Sequence, residues 1–194
     1  MKIISSLLLL LAASWSVPTS NAPVTISKTE STVTWHASKV TGSHYGRVPL
    51  SDGKLDYSNG KITGGSFEMD MSKLTVEDIT DAGSNQKLTG HLKSDDFFSV
   101  TKFPKAMMKI TNVKTTDGKT YEMTANLIIK GVTTAVTFPA TLTMVNGKMV
   151  TTAEIKFDRT KYDIKYRSGS YFEDLADKLI YDEVKLDVKL VATI

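Results

Sequence analysis

The chain has 194 residues with a formal net charge of +3 at pH 7, and it contains no cysteine. The lack of cysteine excludes a disulfide framework, and the scattering of lysine and arginine among acidic residues leaves no basic stripe for nucleic acid. A chain of this length is sufficient for one domain that buries about 70% of the surface of the unfolded chain.

Residues 1–20 have the composition of a signal peptide. Lys2 precedes an apolar run over residues 3–13, and small residues follow from Ser14 onwards. The run is shorter than the roughly 20 apolar residues that span a bilayer, which distinguishes a leader from a membrane anchor. We therefore expect an exported protein, periplasmic or secreted, whose leader is cleaved at a site that the sequence leaves open between Ser14 and Ala22.

The rest of the chain alternates apolar and polar residues with a period of two. This alternation is typical of antiparallel strands that have one face on a core and the other in water. The segments that show it are 33–37, 67–71, 106–110, 121–129, 136–144, 153–157 and 184–190, with a weaker one over 47–57. We therefore predict a single all-β domain over residues 23–194, an antiparallel up-and-down barrel of about eight strands.

Pairs of residues that accept positive φ support a series of hairpins. Asp-Gly or Asn-Gly occurs at 52–53, 59–60, 117–118 and 146–147. Such pairs favour the tight turns that join antiparallel strands. A meander of hairpins that closes on itself also removes its exposed edges, which favours a barrel over an open sheet.

Two stretches interrupt the strand pattern and are predicted to carry one or two short helices. Residues 72–93 are expected to form short helices or an ordered loop, with Ser84 as the N-cap of a helix over 85–92. Residues 167–180 are expected to form a second excursion between the last two strands. Its predicted apolar anchors are Tyr171, Phe172, Leu175 and Leu179.

The interior of the barrel can be hollow or filled. A barrel of about eight strands is either just filled by side chains or just able to hold one small ligand. Alanines leave space and flexible methionines line adaptable apolar surfaces, which favours a hollow tube. The alternative is that small residues only fit the taper of a filled barrel. The residues in question are Ala37, Ala106, Ala125, Ala140 and Ala153, with Met69, Met108, Met123 and Met144.

Four segments of the chain carry motifs, and they occur in a fixed order. They read STVTWHASKVTG over 31–42, GHLKSDDFFSVTKFP over 90–104, ANLIIKGVTTAVTFP over 125–139 and FDRTKYDI over 157–164. Together they resemble the YceI-like family of exported lipocalin-like proteins, whose patterns include HL-x-S-x-DFF. Ala125 and Ile128 depart from the Gly and Thr that are commoner in the family, and the Arg-Asp pair often found upstream of HL is absent.

The resemblance implies an extended antiparallel, lipocalin-like β-barrel whose lumen binds a long apolar chain. The ligand class would be polyisoprenoids, isoprenoid quinones or fatty-acid derivatives, and neither a catalytic group nor a cofactor is implied. We therefore expect a protein that carries or stores a long-chain amphiphile and is not an enzyme. The predicted lumen residues lie on the apolar faces of the strands: Trp35, Ala37, Phe67, Met69, Met108, Ile110, Met123, Ala125, Leu127, Phe138 and Phe157.

Three polar residues of the motif segments are candidates for the mouth of the barrel and for contacts with a ligand headgroup. They are His91, Lys93 and Arg159. The alternative for His91 is a structural histidine that satisfies loop carbonyls, and the alternative for Arg159 is a surface ion pair with Asp158 or Asp163. Phe97 and Phe98 are predicted to plug the barrel beside this mouth.

Two other functions remain open on the sequence. A lipid- or sugar-modifying enzyme would need titratable side chains in the lumen, where the hydroxyl of Tyr121 is the polar group that the alternation places. An interaction module would instead use the threonine-rich outer faces, through which a homodimer is also possible. No metal is expected, because the 3 histidines have no zinc-site spacing and no cysteine accompanies them.

Overall fold

The fold is known from a computed structural model, which describes residues 23–193 of the chain. The predicted leader therefore lies outside the described residues. Within them the chain forms ten strands and one α-helix. The elements are β1 (Val24–Thr25), β2 (Thr32–Lys39), β3 (Gly42–Arg47), β4 (Leu50–Ser58), β5 (Lys61–Asp70), α1 (Ala82–Lys93), β6 (Lys105–Lys114), β7 (Thr120–Ile129), β8 (Val132–Val145), β9 (Lys148–Asp158) and β10 (Ile180–Thr193).

All strands belong to one curled sheet in the order β1-β4-β5-β6-β7-β8-β9-β10-β2-β3, and neighbouring strands are antiparallel. The segment that contains β1 joins the two sides of the curl. The N–H of Ile26 donates to the carbonyl of Gly53 on β4 at 2.9 Å, and Ile26 also bridges to Ala192 on β10. The predicted all-β antiparallel fold is confirmed.

The strand count exceeds the predicted number because two strands have no periodic signal. β1 is 2 residues long, and β3 reads GSHYGR without an apolar alternation. The turn predictions hold at Asn59-Gly60 and Asn146-Gly147, where both residues have positive φ. Asp52-Gly53 is not a turn but lies inside β4, where a Cβ on Gly53 would stand 3.2 Å from Ile26 and 3.3 Å from Phe67.

The two ends of the barrel differ in their connections. Both long excursions, residues 71–104 with α1 and residues 159–179, leave the sheet where β5 and β9 end. We call this the helix end. The opposite end, which we call the turn end, carries the short hairpins at 59–60, 115–119 and 146–147. The two long excursions therefore cover the helix end of the barrel, whereas the turn end has only short hairpins.

Helix α1 begins three residues earlier than the sequence suggested. Asp81 is the N-cap, because its carboxylate accepts a hydrogen bond from the N–H of Ser84 at 2.8 Å. A carboxylate is also favoured there by the helix dipole, which explains why Asp81 rather than Ser84 has the capping role. α1 has no fully buried residue. Among the described residues, no helix is long and apolar enough to cross a membrane.

The second excursion is not held by the anchors predicted from the sequence. The side chains of Tyr171 and Phe172 are exposed, at 52% and 51%, and only Leu175 and Leu179 are half-buried. The excursion is held instead by the buried side chains of Tyr162 and Ile164, at 0% and 1% exposure, and by polar contacts to Arg159 and Asp182, described below. The prediction of Tyr171 and Phe172 as anchors was wrong because apolar type alone does not say which side of a loop meets the barrel.

Candidate ligand-binding lumen

The inner face of the sheet is made by alternate residues of its strands. On β6, Ala106, Met108 and Ile110 are buried while their neighbours are exposed, and β7 repeats the pattern from Tyr121 to Ile129. The Cβ atoms of a strand point to opposite faces in turn, so one apolar residue in two reaches the lumen. The lumen is therefore lined almost wholly by aliphatic, aromatic and methionine side chains.

Three apolar cavities lie in a row inside the barrel. The turn-end cavity has a volume of about 50 Å³ and includes Leu55, Met123, Phe138, Thr151 and Leu190 in its lining. The middle cavity has about 50 Å³ and the helix-end cavity about 70 Å³.

Shared side chains form the partitions between these cavities. Val33, Met69 and Leu186 line both the turn-end and the middle cavity, and Trp35 lines both the middle and the helix-end cavity. The helix-end cavity is covered by Leu88 and Leu92 of α1, which are half-buried. The row thus runs the length of the lumen and ends beneath the helix.

The structure places the predicted lumen residues around this row. All of them except Ala125 line at least one of the three cavities. Ala125 is fully buried, at 0% exposure, and faces none of these spaces. Met144, whose type favoured a hollow interior, is 52% exposed. It lies on the part of β8 that extends beyond the last pair with β7, Thr120 with Thr141, and is still paired with β9.

The lumen is closer to filled than to hollow. Pockets for drug-sized ligands have volumes of about 300–1,000 Å³, far above each of the three cavities. The gap in the turn-end cavity lies where two small residues, Ala140 and Ala153, pair directly across β8 and β9. Ala106 and Ala37 line the middle and the helix-end cavity, and Ala125 lines none of the three. A long chain can therefore enter only if the partitions move, and methionines such as Met69 are the side chains best able to do so.

The residues predicted at the mouth hold the helix end together. The Nε2 of His91 lies 2.9 Å from the Oδ2 of Asp96, and the imidazole packs edge-on against the rings of Phe97 and Tyr166 at 4.9 and 4.8 Å. The Nζ of Lys93 donates to the carbonyl of Ser72 at 2.7 Å. Both side chains are thus engaged by the protein.

The two predicted plug residues reach different cavities. Phe97 is buried and lines the helix-end cavity, and the half-buried Phe98 lines the middle cavity. Tyr166, whose ring lies 5.4 Å from that of Phe97, belongs to the second excursion. The two excursions therefore meet over the helix end, and their contact forms the cover of the lumen.

Arg159 is the buried centre of the second excursion. Its side chain is 4% exposed, and its ion pair is with Asp182 at 3.1 Å, so the expected surface pair with Asp158 or Asp163 is wrong. Its remaining N–H groups donate to backbone carbonyls at 2.9–3.1 Å, those of Ile164, Tyr166, Ile180 and Tyr181. All five N–H donors are thus occupied, and none remains for a ligand.

The charge around Arg159 is balanced within the excursion. Burial lowers the pKa of Arg159, while the negative charges of Asp182 and Asp158 oppose that effect. The second oxygen of Asp182 accepts from the hydroxyls of Ser168 and Ser170 at 2.9 and 2.8 Å. The carboxylate is therefore as fully bonded as the guanidinium, and the cluster fixes the path of residues 159–182.

No constellation for catalysis lines the lumen. Within the described residues, the side chains around the turn-end and middle cavities carry no charge, and the helix-end cavity adds only Lys39 and His44. His44 is itself paired with Asp78, with 2.7 Å between Nδ1 and Oδ2. Residues 23–193 contain no cluster of His, Asp or Glu that could hold a metal ion. The predicted lumenal hydroxyl of Tyr121 donates to the carbonyl of Gly118 and accepts from the N–H of Ile62.

One inward polar residue was missed by the sequence interpretation. Thr151 is 5% exposed, lines the turn-end cavity and has a hydroxyl without a hydrogen-bond partner among the described residues. The alternation that places Ala153 and Ile155 inward also places Thr151 inward, so the signal was present. It was missed because threonines dominate the outer faces of the neighbouring strands.

Comparisons with known proteins agree with this fold. A family model of the YceI-like domain matches residues 24–192. A UPF0312 protein of Pseudomonas putida (strain W619) is 36% identical over 85 residues, which are 43% of this chain and 44% of that protein. A UPF0312 protein of Shewanella denitrificans is 31% identical over 95 residues, 49% of this chain and 47% of that protein. The matched segments thus span less than half the length of these curated relatives.

Solved structures with low sequence identity share the fold. BcnA of Burkholderia cenocepacia superposes with a TM-score of 0.70 at 19% identity, over 87% of this chain and 99% of that one. A polyisoprenoid binding domain of Saccharophagus degradans superposes with a TM-score of 0.64 at 12% identity, over 87% and 97% of the two chains.

Proposed function

The chain belongs to the YceI-like family, and on that basis we propose that its lumen binds the apolar chain of a long-chain amphiphile, which the protein carries or stores. The ligand class is a polyisoprenoid, an isoprenoid quinone or a fatty-acid derivative. The similar domain of Saccharophagus degradans, described as polyisoprenoid binding, supports the first of these.

The observation that carries the proposal is the row of three apolar cavities. An extended hydrocarbon is long and narrow, as is the row, and each CH₂ group buried contributes about 0.8 kcal/mol. The linings of the turn-end and middle cavities carry no charge. They therefore suit a hydrocarbon chain and offer no general acid or base. Binding rather than catalysis is therefore the function that the lumen supports.

Ligand entry requires a rearrangement of the partitions. Because the cavities hold about 50–70 Å³ each, a chain that occupies all three must displace Met69 and turn Trp35. Such a ligand selects a widened conformation and binds with an affinity reduced by the cost of that widening. Methionine suits this role because its unbranched thioether adapts to several shapes.

We also propose that the protein is exported. The composition of residues 1–20 supports a leader, and a carrier in the periplasm or outside the cell would move an amphiphile through water. N-terminal sequencing of the protein recovered from a periplasmic extract tests this part. We expect a start between residues 15 and 23, and a protein that keeps Met1 and stays with the cytoplasm would contradict it.

The binding proposal is tested with the full chain expressed with its leader. Denaturing mass spectrometry of an organic extract should find a co-purified lipid. After delipidation, farnesol should change the tryptophan fluorescence of the protein, because Trp35 lines two of the cavities.

A matched pair of variants makes this test specific. Ala153→Leu fills the turn-end cavity, whereas Thr152→Leu adds a similar side chain on the exposed outer face of the same strand. We expect Ala153→Leu to weaken farnesol binding by about five- to a hundredfold, in line with overpacking costs of about 1–3 kcal/mol, and Thr152→Leu to leave it unchanged. An absence of extracted lipid together with an unchanged Trp35 signal would refute the proposal.

A further inference from the structure

The inward-facing residues of β2 end in a charge. Val33, Trp35 and Ala37 follow one another on the inner face of this strand, and the alternation places Lys39 next in the same series. The first three line the row of cavities, and Lys39 lines the helix-end cavity together with Trp35 and Ala37. The apolar stripe on this wall of the lumen therefore ends at a lysine.

This lysine lies where the lumen opens. Lys39 and its neighbour Ser38 are exposed, yet both line the helix-end cavity, so this cavity extends to the protein surface. The facing parts of the lining are Ile180, which pairs with Lys39 across β10 and β2, and Leu88 and Leu92 of α1. We call this opening the β2 mouth. A lysine here can lay its alkyl chain against the apolar lining and keep its ammonium group in water.

The charge of Lys39 is not balanced within the described chain, where its ammonium group has neither a hydrogen bond nor an ion pair. His44 lines the same cavity, but its Nδ1 lies 2.7 Å from the Oδ2 of Asp78. The other oxygen of Asp78 accepts from the N–H of Tyr45 at 3.0 Å. Among the described residues that line the three cavities, Lys39 is therefore the charged side chain that is free to bind a ligand.

The rest of the row offers no partner to the polar head of an amphiphile. The surface that each of the three cavities exposes is apolar. The turn end beyond them is sealed by side chains such as Ile62 and Met149, each 1% exposed. A polar head inside the lumen would lose its water without gaining a hydrogen bond. The chain of the ligand therefore enters first, and the head stays outside.

We infer that the ligand binds with its chain in the lumen and its head at the β2 mouth, where Lys39 contacts an anionic head, a phosphate or a carboxylate. This inference rests on the proposed lipid-binding function and narrows the ligand class to anionic amphiphiles. An ammonium group forms charge-assisted hydrogen bonds with the oxygens of either anion. Because the head stays in contact with water, neither charge has to be buried.

Two probes with the same chain test the charge of the head: geranylgeraniol, which is neutral, and geranylgeranyl phosphate. Their affinities for the delipidated protein are measured by tryptophan fluorescence, below the concentrations at which either probe aggregates. Lys39→Met removes the charge and keeps an unbranched side chain, whereas Lys39→Arg keeps the charge. Lys119→Met, which removes the same charge from an exposed site at the turn end, is the matched control.

The expected effect is confined to one probe and one site. Lys39→Met should weaken geranylgeranyl phosphate about three- to tenfold, since the contact is charge-assisted but exposed, and leave geranylgeraniol within about twofold of the parent. Lys39→Arg and Lys119→Met should bind both probes as the parent does. Because salt screens exposed charges, the effect of Lys39→Met should shrink between about 0.01 M and about 1 M salt.

The orientation of the ligand is tested by phosphorus NMR of bound geranylgeranyl phosphate. A neutral gadolinium chelate broadens the signals of nuclei that it can approach through the solvent. We expect it to broaden the phosphorus signal of the bound probe, because the head lies at the β2 mouth. A protected phosphorus signal would place the head inside the lumen and overturn the inference.

The possible outcomes separate this inference from the proposed function. Equal effects of Lys39→Met on both probes, or no effect on either, would overturn the contact with Lys39 while leaving lipid binding in place. Displacement of geranylgeranyl phosphate by an equal concentration of inorganic phosphate would indicate a site for free anions, which also overturns the inference. No binding of either probe to the parent chain would overturn both the inference and the proposed function.

Discussion

The helix end and the turn end of the barrel are closed by different forces. The turn end is sealed by apolar side chains such as Ile62 and Met149, each 1% exposed, beneath short hairpins. The helix end is covered by α1, which has no fully buried residue, and by ring contacts of Tyr166 with His91 and Phe97 that join the two long excursions. The turn end is therefore closed by tightly buried side chains, whereas the cover of the helix end includes a helix that is only partly buried.

This difference assigns a direction to the lumen. The ion pairs at the helix end are partly exposed: the side chains of His91 and Asp96 are 34% and 56% exposed, and those of His44 and Asp78 are 32% and 18% exposed. Exposed pairs contribute about 0–1 kcal/mol each. Lifting α1 therefore costs much less than opening the turn end, and a ligand is expected to pass under the helix.

Arg159 is the exception at the helix end, and its replacement should have the largest effect. Arg159→Met leaves Asp182 without its counter-charge and removes the guanidinium donors of four backbone carbonyls. Removal of one partner of a buried pair costs about 3–5 kcal/mol, because the other charge stays buried. We expect a corresponding fall in the free energy of unfolding, measured by urea denaturation.

Arg159→Lys provides the control. Lysine keeps the charge but has three donors on a single nitrogen, so it cannot serve five separate acceptors, and it should recover less than about half of the loss. Where this variant is folded, its farnesol affinity should stay within about twofold of the parent, because Arg159 has no donor free for a ligand. A large loss of affinity at unchanged stability would restore Arg159 as a headgroup contact.

A second prediction compares the two ends directly. Ile62→Ala removes a 1%-exposed side chain from the sealed turn end and should lower the free energy of unfolding by about 2–4 kcal/mol. Leu88→Ala truncates a half-buried residue of α1, where alanine is also the better helix former, and should lower it by about 1 kcal/mol or less. Urea denaturation of both variants measures the difference, and equal losses would mean that the helix end is closed as firmly as the turn end.

The strands were predictable because their signal is local. Alternation along a segment such as 121–129 reports burial on one face without knowledge of its partners, and it located eight of the strands. β1 and β3 were missed because their place depends on hydrogen bonds to distant residues, such as that from Ile26 to Gly53. The turn at Asp52-Gly53 was misplaced for the same reason, because the pair favours a turn by its residue types alone, whatever its distant partners are.

The candidate site was predictable in its lining but not in its shape. Inward residues such as Met69 and Phe138 follow from the alternation, whereas the volume between them depends on how opposite walls interdigitate. The partner of Arg159 could not be predicted either. Asp182 lies on β10, whereas Arg159 follows the end of β9. The path of the excursion between them depends on side-chain contacts that the sequence does not reveal.

The smallest predicted effect concerns pH at the helix end. Burial alone would raise the pKa of Asp78, but hydrogen bonds from His44 and the N–H of Tyr45 outweigh it and hold the pKa below its ordinary value of 3.8. A lowered folded-state pKa gives a stabilising contribution that is complete above pH 3.8 and is lost as the pH falls through the lower, folded-state pKa. Acidification into that range should therefore loosen the segment that contains Asp78 from β3.

Comparison with Asp78→Asn measures this contribution. The amide oxygen can still accept from Tyr45, so the variant removes the charge and little else. Near pH 6 the parent should be more stable in urea by about 1 kcal/mol or less, and the difference should shrink below about pH 4 as the parent carboxylate is protonated. Asp177→Asn, an exposed residue at the same end, should show no such trend. If the difference between the parent and Asp78→Asn were constant from pH 6 to pH 3, the charge of Asp78 would have no part in closing the helix end.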